Sequence, residues 1–282
     1  VLAPTGELVA AARADRGAVG AFNVITIEHA EAIVAGAEAA GLPVILQVSE
    51  NAVRFHHGRL APIAAAARSI AEAADVPVGL HLDHVESDDL LDQAAANGFG
   101  SAMYDASRLP YAENVAATTD AVRRCHAAGL WVESELGEIG GKGGAHAKGA
   151  RTDPDEAAAY VAATGVDALA VAVGSSHAMT TRSARLDHDL IARLAAAVPV
   201  PLVLHGSSGV PDDELSEAVR GGMAKINIGT ALNTAFTGTV REALGDQPDL
   251  VDPRRYLASA RTAMAETVTA ALRVLKTGVI RA

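Results

Sequence analysis

The stretch Val76-Pro77-Val78-Gly79-Leu80-His81-Leu82-Asp83-His84, followed by Glu86-Ser87-Asp88-Asp89, carries in miniature the pattern that decides the fold. Val76 to Leu80 is a short apolar run that reads as a buried strand, with Pro77 near its start, where a missing N–H is tolerated. Glu86-Ser87-Asp88-Asp89 reads as the start of a helix. Between them, two imidazoles and a carboxylate crowd the exit of the strand. Asp83 and His84 are adjacent, so a regular strand turns them to opposite faces. The strand is expected to stop at Leu82, where loss of the pleat lets both side chains lean over one rim. Alone, His81-Leu82-Asp83-His84 reads equally well as a strand-end cap with a structural histidine and as a functional cluster.

The same unit of short strand, polar exit and alanine-rich helix recurs about eight times. Strands are predicted at Ala18 to Val24, Val44 to Val48, Val78 to Leu82, Ser101 to Tyr104, Trp131 to Glu135, Ala168 to Val173, Leu202 to Leu204 and Lys225 to Ile228. The helices between them carry apolar residues at helical spacing, such as Ala30, Ile33, Val34 and Ala37, or Leu90, Leu91, Ala94 and Ala95. This repetition is the signature of an α/β chain folded as a (β/α)8 TIM barrel. An extra N-terminal helix (Thr5 as cap, then Glu7 to Ala14) precedes it, and a C-terminal helical extension (Pro253 to Val274) follows. A doubly wound open sheet would favour a glycine fingerprint after the first strand, and Ala21-Phe22-Asn23-Val24 has none. No linker or low-complexity tract interrupts the chain, so residues 1–282 are expected to form a single domain.

Bulk composition narrows the function. The formal net charge of −11, with no basic cluster interleaved with aromatics, excludes a nucleic-acid surface. No apolar run reaches the ~18 residues that a membrane span needs, and the N-terminal segment, with Glu7, Arg13 and Asp15, lacks the apolar centre of a secretory signal, so a cytoplasmic protein is expected. Cys125 is the single cysteine and sits in a helical pattern, where it reads as a packed small hydrophobe.

In a barrel the site lies at the C-terminal ends of the strands. The predicted exits place Asn23, then Gln47 and Ser49, then Asp83 and His84, then Asp105, then Glu133 and Glu135 around one rim. They continue with Gly174-Ser175-Ser176-His177, His205-Gly206-Ser207-Ser208-Gly209 and Asn227-Ile228-Gly229-Thr230. Each histidine alone is more often structural than metallic, but His84, His177 and His205 stand at three exits. Three imidazoles with an open position are the usual ligand set of a catalytic zinc. The glycine- and serine-rich exits seven and eight suit a phosphate dianion, which needs many N–H and hydroxyl donors and little side-chain bulk. His81 lies back inside its strand; His56 and His57 occupy a loop, and His126 and His188 fall on or near helices as surface residues.

Taken together, Gly20-Ala21-Phe22-Asn23-Val24, His81-Leu82-Asp83-His84, Glu133-Ser134-Glu135-Leu136-Gly137, Ala172-Val173-Gly174-Ser175-Ser176-His177, Leu204-His205-Gly206-Ser207-Ser208-Gly209 and Lys225-Ile226-Asn227-Ile228 resemble the motif series of the class II, zinc-dependent ketose-bisphosphate aldolases, which include the fructose- and tagatose-bisphosphate enzymes. The resemblance runs in order down to Asp252-Pro253-Arg254-Arg255-Tyr256 and Ala263-Met264. It implies one catalytic Zn2+ on His84, His177 and His205, with a monovalent cation such as Na+ admitted beside it. It implies that Asp83 moves the proton of the ketose C4 hydroxyl. Asn23, Ser49, Ala178, Gly206, Ser207, Ser208, Asn227, Ile228, Gly229 and Thr230 match positions that hold substrate, with Gln47 beside them. Asp105 and Glu135 match acidic positions behind the site, where they orient a metal-bound histidine. The implied reaction is reversible cleavage of a ketose bisphosphate to dihydroxyacetone phosphate and glyceraldehyde 3-phosphate, and relatives are homodimers or homotetramers.

Three departures from the family pattern stand out. Ala178 replaces a glycine after the second metal histidine, and Thr26 replaces an asparagine after the first strand. In the loop Gly140 to Gly149, Lys142 and Gly143 stand where relatives carry adjacent acids that move the C3 proton; either Lys142 or His146 substitutes, or the loop only closes over substrate, or the physiological reaction differs. The eighth exit lacks the acid of typical fructose-bisphosphate enzymes, which leans toward a tagatose-type or other ketose phosphate. Arg254 and Arg255 are candidates for the distal phosphate. A zinc-dependent hydrolase on the same barrel, or an aldolase of the family acting on a different sugar phosphate, is the competing expectation.

Overall fold

A computed structural model describes residues 1–137 and 151–276. Eight parallel strands close on one another in chain order. They are β1 (Val19–Asn23), β2 (Val44–Ser49), β3 (Val78–Val85), β4 (Ser101–Tyr104), β5 (Trp131–Glu135), β6 (Ala168–Ala170), β7 (Leu202–Leu204) and β8 (Met223–Ile228). The ladder between β8 and β1, with Ala21 opposite Asn227, completes the (β/α)8 barrel. The helices are α1 (Thr5–Ala14), α2 (Ile27–Ala40), α3 (Glu50–Phe55), α4 (Leu60–Ala73), α5 (Asp88–Leu91), α6 (Tyr111–Ala127), α7 (Pro154–Thr164), α8 (His188–Ala197), α9 (Asp212–Gly221), α10 (Thr230–Asp246) and α11 (Pro253–Lys276). No described helix is long and apolar enough to cross a membrane.

The period of two along each strand sorts residues into two layers. Val44, Leu46 and Val48 of β2, Val78, Leu80 and Leu82 of β3, and Ile226 and Ile228 of β8 join the large hydrophobic cluster between barrel and helices. The opposite parity enters the barrel. At its N-terminal end Leu8 and Val9 of α1 pack with Val19, Ala21, Ile45 and Ala224 as a plug. Toward the C-terminal end the interior turns polar: His81, Asp83, Glu133, Glu135, His205 and Lys225 are buried there.

Several predicted boundaries shift for local reasons. β3 runs past Leu82 to Val85, and its register on β4 jumps between Leu82 and Val85, a bulge. Pro4, not Thr5, precedes α1; the Thr5 hydroxyl instead accepts from Ser101 Oγ at 2.7 Å. The helix expected over Leu90 to Ala95 is a single turn, α5, followed by a 3-10 turn at Ala95–Asn97. β6 ends at Ala170 because beyond it the chain peels toward the loops, where Ala172 N–H donates to Thr152 Oγ1 and Val173 O accepts from Asp187. The C-terminal extension is one helix, α11, whose Met264, Val268, Leu272 and Leu275 are buried against the barrel layer.

The α2–α11 contact depends on a residue without a side chain. A Cβ on Gly36 would stand 2.5 Å from Ala265 O and 2.7 Å from Val268 Cβ, and Thr269 Oγ1 donates to Gly36 O at 2.9 Å. Alanine gains about 1 kcal/mol of helix propensity over glycine, whereas overpacking costs about 1–3 kcal/mol. Gly36→Ala is therefore expected to lower the urea midpoint, and a raised midpoint would show that the helices separate freely.

Candidate active site

The bulge in β3 changes which face its last residues present. Strict alternation sends His84 outward with Leu82 and Asp83 inward with His81. Asp83 and His84 together oppose one β4 residue, Met103, between the Leu82–Ala102 and Val85–Tyr104 pairs. His84 adopts the left-handed backbone conformation at φ 50°, and the two side chains come to one rim. There His84 meets His177, from the loop after β6, and His205, which follows β7. One ring nitrogen from each lies within 4.8 Å of the others, and the ring centroids stand 4.8–5.8 Å apart with the rings tilted edge-on.

Two of the three histidines, His84 and His205, are steadied by carboxylates. His84 Nδ1 donates to Asp105 Oδ2 at 2.9 Å. His205 Nε2 donates to Glu133 Oε1 at 2.8 Å, and its Nδ1 stands 3.3 Å from Glu135 Oε2. Burial alone lowers the His205 pKa, but the hydrogen bond it donates to Glu133 and the adjacent Glu135 carboxylate outweigh it and raise it to about 9. A histidine held by carboxylates this way is oriented as a metal ligand, which it becomes by giving up a proton. Three neutral nitrogen donors with one side open to a cleft fit a divalent ion of the zinc type.

Behind the triad runs a buried polar chain. Lys225 Nζ donates to Glu133 Oε2 and to Asn227 Oδ1, both at 2.8 Å, and Asn227 Nδ2 reaches Asp83 Oδ1 at 3.5 Å. Burial raises the Glu133 pKa, yet Lys225 and His205 overcome this and hold it well below the usual carboxylate range. Desolvation likewise works against the Asp83 anion, but His84, His205 and His81 lower its pKa, so it stays ionised at neutral pH. Burial, then Lys225, lowers His81 to about 3; its Nδ1 donates to Ser101 Oγ at 2.8 Å, deep in the barrel.

The open side is a cleft of about 740 Å³. It brings together Asn23, Gln47, Ser49, Asp83, His84, His177, Ala178, Gly206, Ser207, Ser208, Asn227, Gly229 and Thr230. Gly206, at φ 66°, lets two loops touch: a Cβ there would stand 2.5 Å from the Ser176 carbonyl carbon. Ser208 Oγ accepts from Ala231 N–H at 3.1 Å, tying this loop to the start of α10. Ala178 holds φ 59°, a conformation that costs a residue with a Cβ about 1–2 kcal/mol and suits glycine. Gln47 Nε2 donates to Asn23 Oδ1 at 2.9 Å, and the buried Gln47 Oε1 has no hydrogen-bond partner among the described residues.

A family model described as "Fructose-bisphosphate aldolase class-II" matches residues 3–278. The fructose-bisphosphate aldolase of Thermus caldophilus is 39% identical over 289 residues, covering 93% of this chain and 94% of that protein. The chain belongs to the class II fructose-bisphosphate aldolase family. A probable fructose-bisphosphate aldolase of Bacillus subtilis (strain 168) is 38% identical, with 95% of each chain covered. The crystal structure of the YdjI aldolase from Escherichia coli K12 superposes with a TM-score of 0.85 at 33% identity, covering 98% of this chain and 97% of that one. The chain is thus an aldehyde-lyase of a zinc-using family whose substrates are sugar phosphates.

Within this aldolase fold, some expected site residues lie elsewhere. Ile228 turns its side chain into the outer core, because it shares the parity of Ile226. Arg254 pairs with Asp252 at 2.7 Å and Arg255 donates to Gln247 at 3.0 Å, at the exposed start of α11; neither lines the cleft. Asp105 and Glu135, by contrast, stand behind the histidines, which is where the resemblance puts them. Lys142 and His146 lie outside the described residues. Thr26 does not line the cleft; its N–H donates to His29 Nδ1 at 3.3 Å, capping α2. Sequence reading passed over Glu50, Arg54, Glu86, Arg108 and Asn233, which line the cleft, and Lys225. Lys225 was legible from parity, since it sits two residues before Asn227 on β8. Replacing it by methionine leaves Glu133 buried without its main counter-charge, and loss of one partner of such a pair costs about 3–5 kcal/mol. Lys225→Met is expected to lose that much stability in urea titration; a loss below about 1 kcal/mol would refute the pairing.

Proposed function

We propose that this chain is a zinc-dependent aldolase that reversibly cleaves a ketose bisphosphate, such as fructose or tagatose 1,6-bisphosphate, into dihydroxyacetone phosphate and glyceraldehyde 3-phosphate. The observation that carries the reading is a buried Asp83 beside a three-histidine cluster on the wall of a cleft. His84, His177 and His205 hold the ion, which when bound supplies Lewis-acid polarisation of the ketose carbonyl and stabilises the negative charge left by cleavage. Asp83, with its pKa held down, takes the C4 hydroxyl proton during cleavage and returns it during condensation. Its Oδ2 stands 4.0 Å from His84 Nε2, beside the candidate ligand set.

Gly206, Ser207 and Ser208, with Gly229 and Thr230 at the start of α10, supply backbone N–H and hydroxyl donors for the triose-phosphate end. Asn23, Gln47, Ser49 and Asn227 offer amide and hydroxyl groups to the sugar hydroxyls. The orphan Gln47 Oε1 is satisfied when one of them donates to it. Arg54 and Arg108 are the guanidiniums that line the cleft, in place of Arg254 and Arg255, and they supply positive charge for a second anion in a chain of net charge −11. The same reading takes in a monovalent cation such as Na+, a homodimer or homotetramer and a cytoplasmic location, as the family resemblance implies.

A Schiff-base route needs a lysine at the substrate. Among the described residues no lysine lines the cleft, and Lys225, the lysine inside the barrel, is fully buried and spent on Glu133 and Asn227. Chelation is therefore expected to abolish ketose-bisphosphate cleavage, and added zinc to restore it, with no borohydride-trapped adduct; activity in excess chelator would count against the metal route. Asp83→Asn is expected to keep its zinc, measured by metal analysis, while kcat falls about 100- to 10,000-fold. Wild-type turnover in that variant would remove Asp83 from proton transfer.

A further inference from the structure

Glu50 is the first residue of α3, directly after Ser49, the last β2 residue to pair with β3. It lines the cleft, yet its carboxylate is committed within the protein. Oε2 accepts the backbone N–H groups of Glu86 at 2.7 Å and Ser87 at 3.2 Å, and Oε1 accepts from Arg54 Nη2 at 2.5 Å. Side-chain exposure is only 10%. With both oxygens engaged, Glu50 is poorly placed to act as a base or a ligand, and its partners indicate another use.

The β2–β3 ladder ends at the Ser49–Asp83 pair. Immediately beyond it β3 carries the bulged His84 in the left-handed region, a conformation that costs about 1–2 kcal/mol and persists only where its surroundings impose it. On the β4 side, Asp105 imposes it: its N–H donates to Val85 O at 2.9 Å, and its Oδ2 accepts from His84 Nδ1. On the β2 side there is no further backbone pairing, and the Glu50 carboxylate takes over by catching the next two N–H groups after Val85. The bulge is therefore pinned on both sides, by the residue that follows β2 and the one that follows β4.

We infer that Glu50 is a positioning residue whose carboxylate holds the exit of β3 so that His84 and Asp83 face the metal together. This rests on the proposed role of His84 as a ligand. Outer residues that orient metal ligands typically change affinity about 10- to 100-fold when removed. Glu50→Ala is expected to weaken zinc binding by about that factor in chelator competition and to shift the visible absorption band of the cobalt-substituted protein. Glu50→Gln, which keeps an oxygen to accept the two N–H groups, is expected to restore most of the affinity and the band. Wild-type affinity and spectrum in Glu50→Ala, even with lowered urea stability, would overturn the inference; so would a Glu50→Gln variant as impaired as Glu50→Ala. His84→Ala, measured alongside, separates the two claims. If it leaves zinc affinity unchanged, the ligand assignment fails and the positioning role falls with it. If it abolishes binding while Glu50→Ala does not, the positioning role alone is wrong.

Discussion

Alternation of side chains along a strand is the constraint on which this molecule turns. Adjacent residues of a regular strand cannot serve one site, because a period of two sends them to opposite faces. The proposed chemistry needs Asp83 and His84 on the same rim, one as an anion and one as a nitrogen donor. It meets this need with a bulge that places both residues against one β4 residue. The rest of the barrel is regular enough to make that exception stable. Leu80 and Leu82 anchor the strand in the outer core before it, and Val85 re-enters the core after it.

The second demand is electrostatic. Burial in the barrel interior works to raise carboxylate pKa values. At Asp83 the imidazoles of His84, His205 and His81 outweigh it, whereas at Glu133 the largest opposing influence is the buried cation Lys225. It neutralises Glu133, which can then orient His205, and through Asn227 the same chain reaches Asp83. The proposed proton acceptor, Asp83, and the candidate metal ligand His205 are thus parts of one buried network.

Most of the fold was legible because each repeat of strand, polar exit and helix advertises itself locally, and strand parity shows which exit residues enter the barrel. His84, His177 and His205 could be grouped once the barrel was assumed, since closure brings distant exits to one rim. What sequence reading lost depends on geometry that no local pattern encodes. Its expected end of β3 at Leu82 missed the bulge, because a bulge is defined by the partner strand. Ile228 was assigned with its motif although parity sends it outward. Arg254 and Arg255 were chosen for their charge, whereas Arg54 and Arg108 reach the cleft through the placement of α3 and of the segment after β4. Glu50 escaped notice because its partners are backbone N–H groups, which leave no trace in composition.

X-ray absorption at the zinc edge of the loaded full chain tests most directly whether the three histidines act as one ligand set. Three imidazole nitrogens at about 2.0–2.1 Å, with one further light atom in the open position, are predicted, and one imidazole should be lost in His177→Ala. A shell holding fewer than three imidazoles, or one unchanged by that substitution, would contradict the assignment of the site.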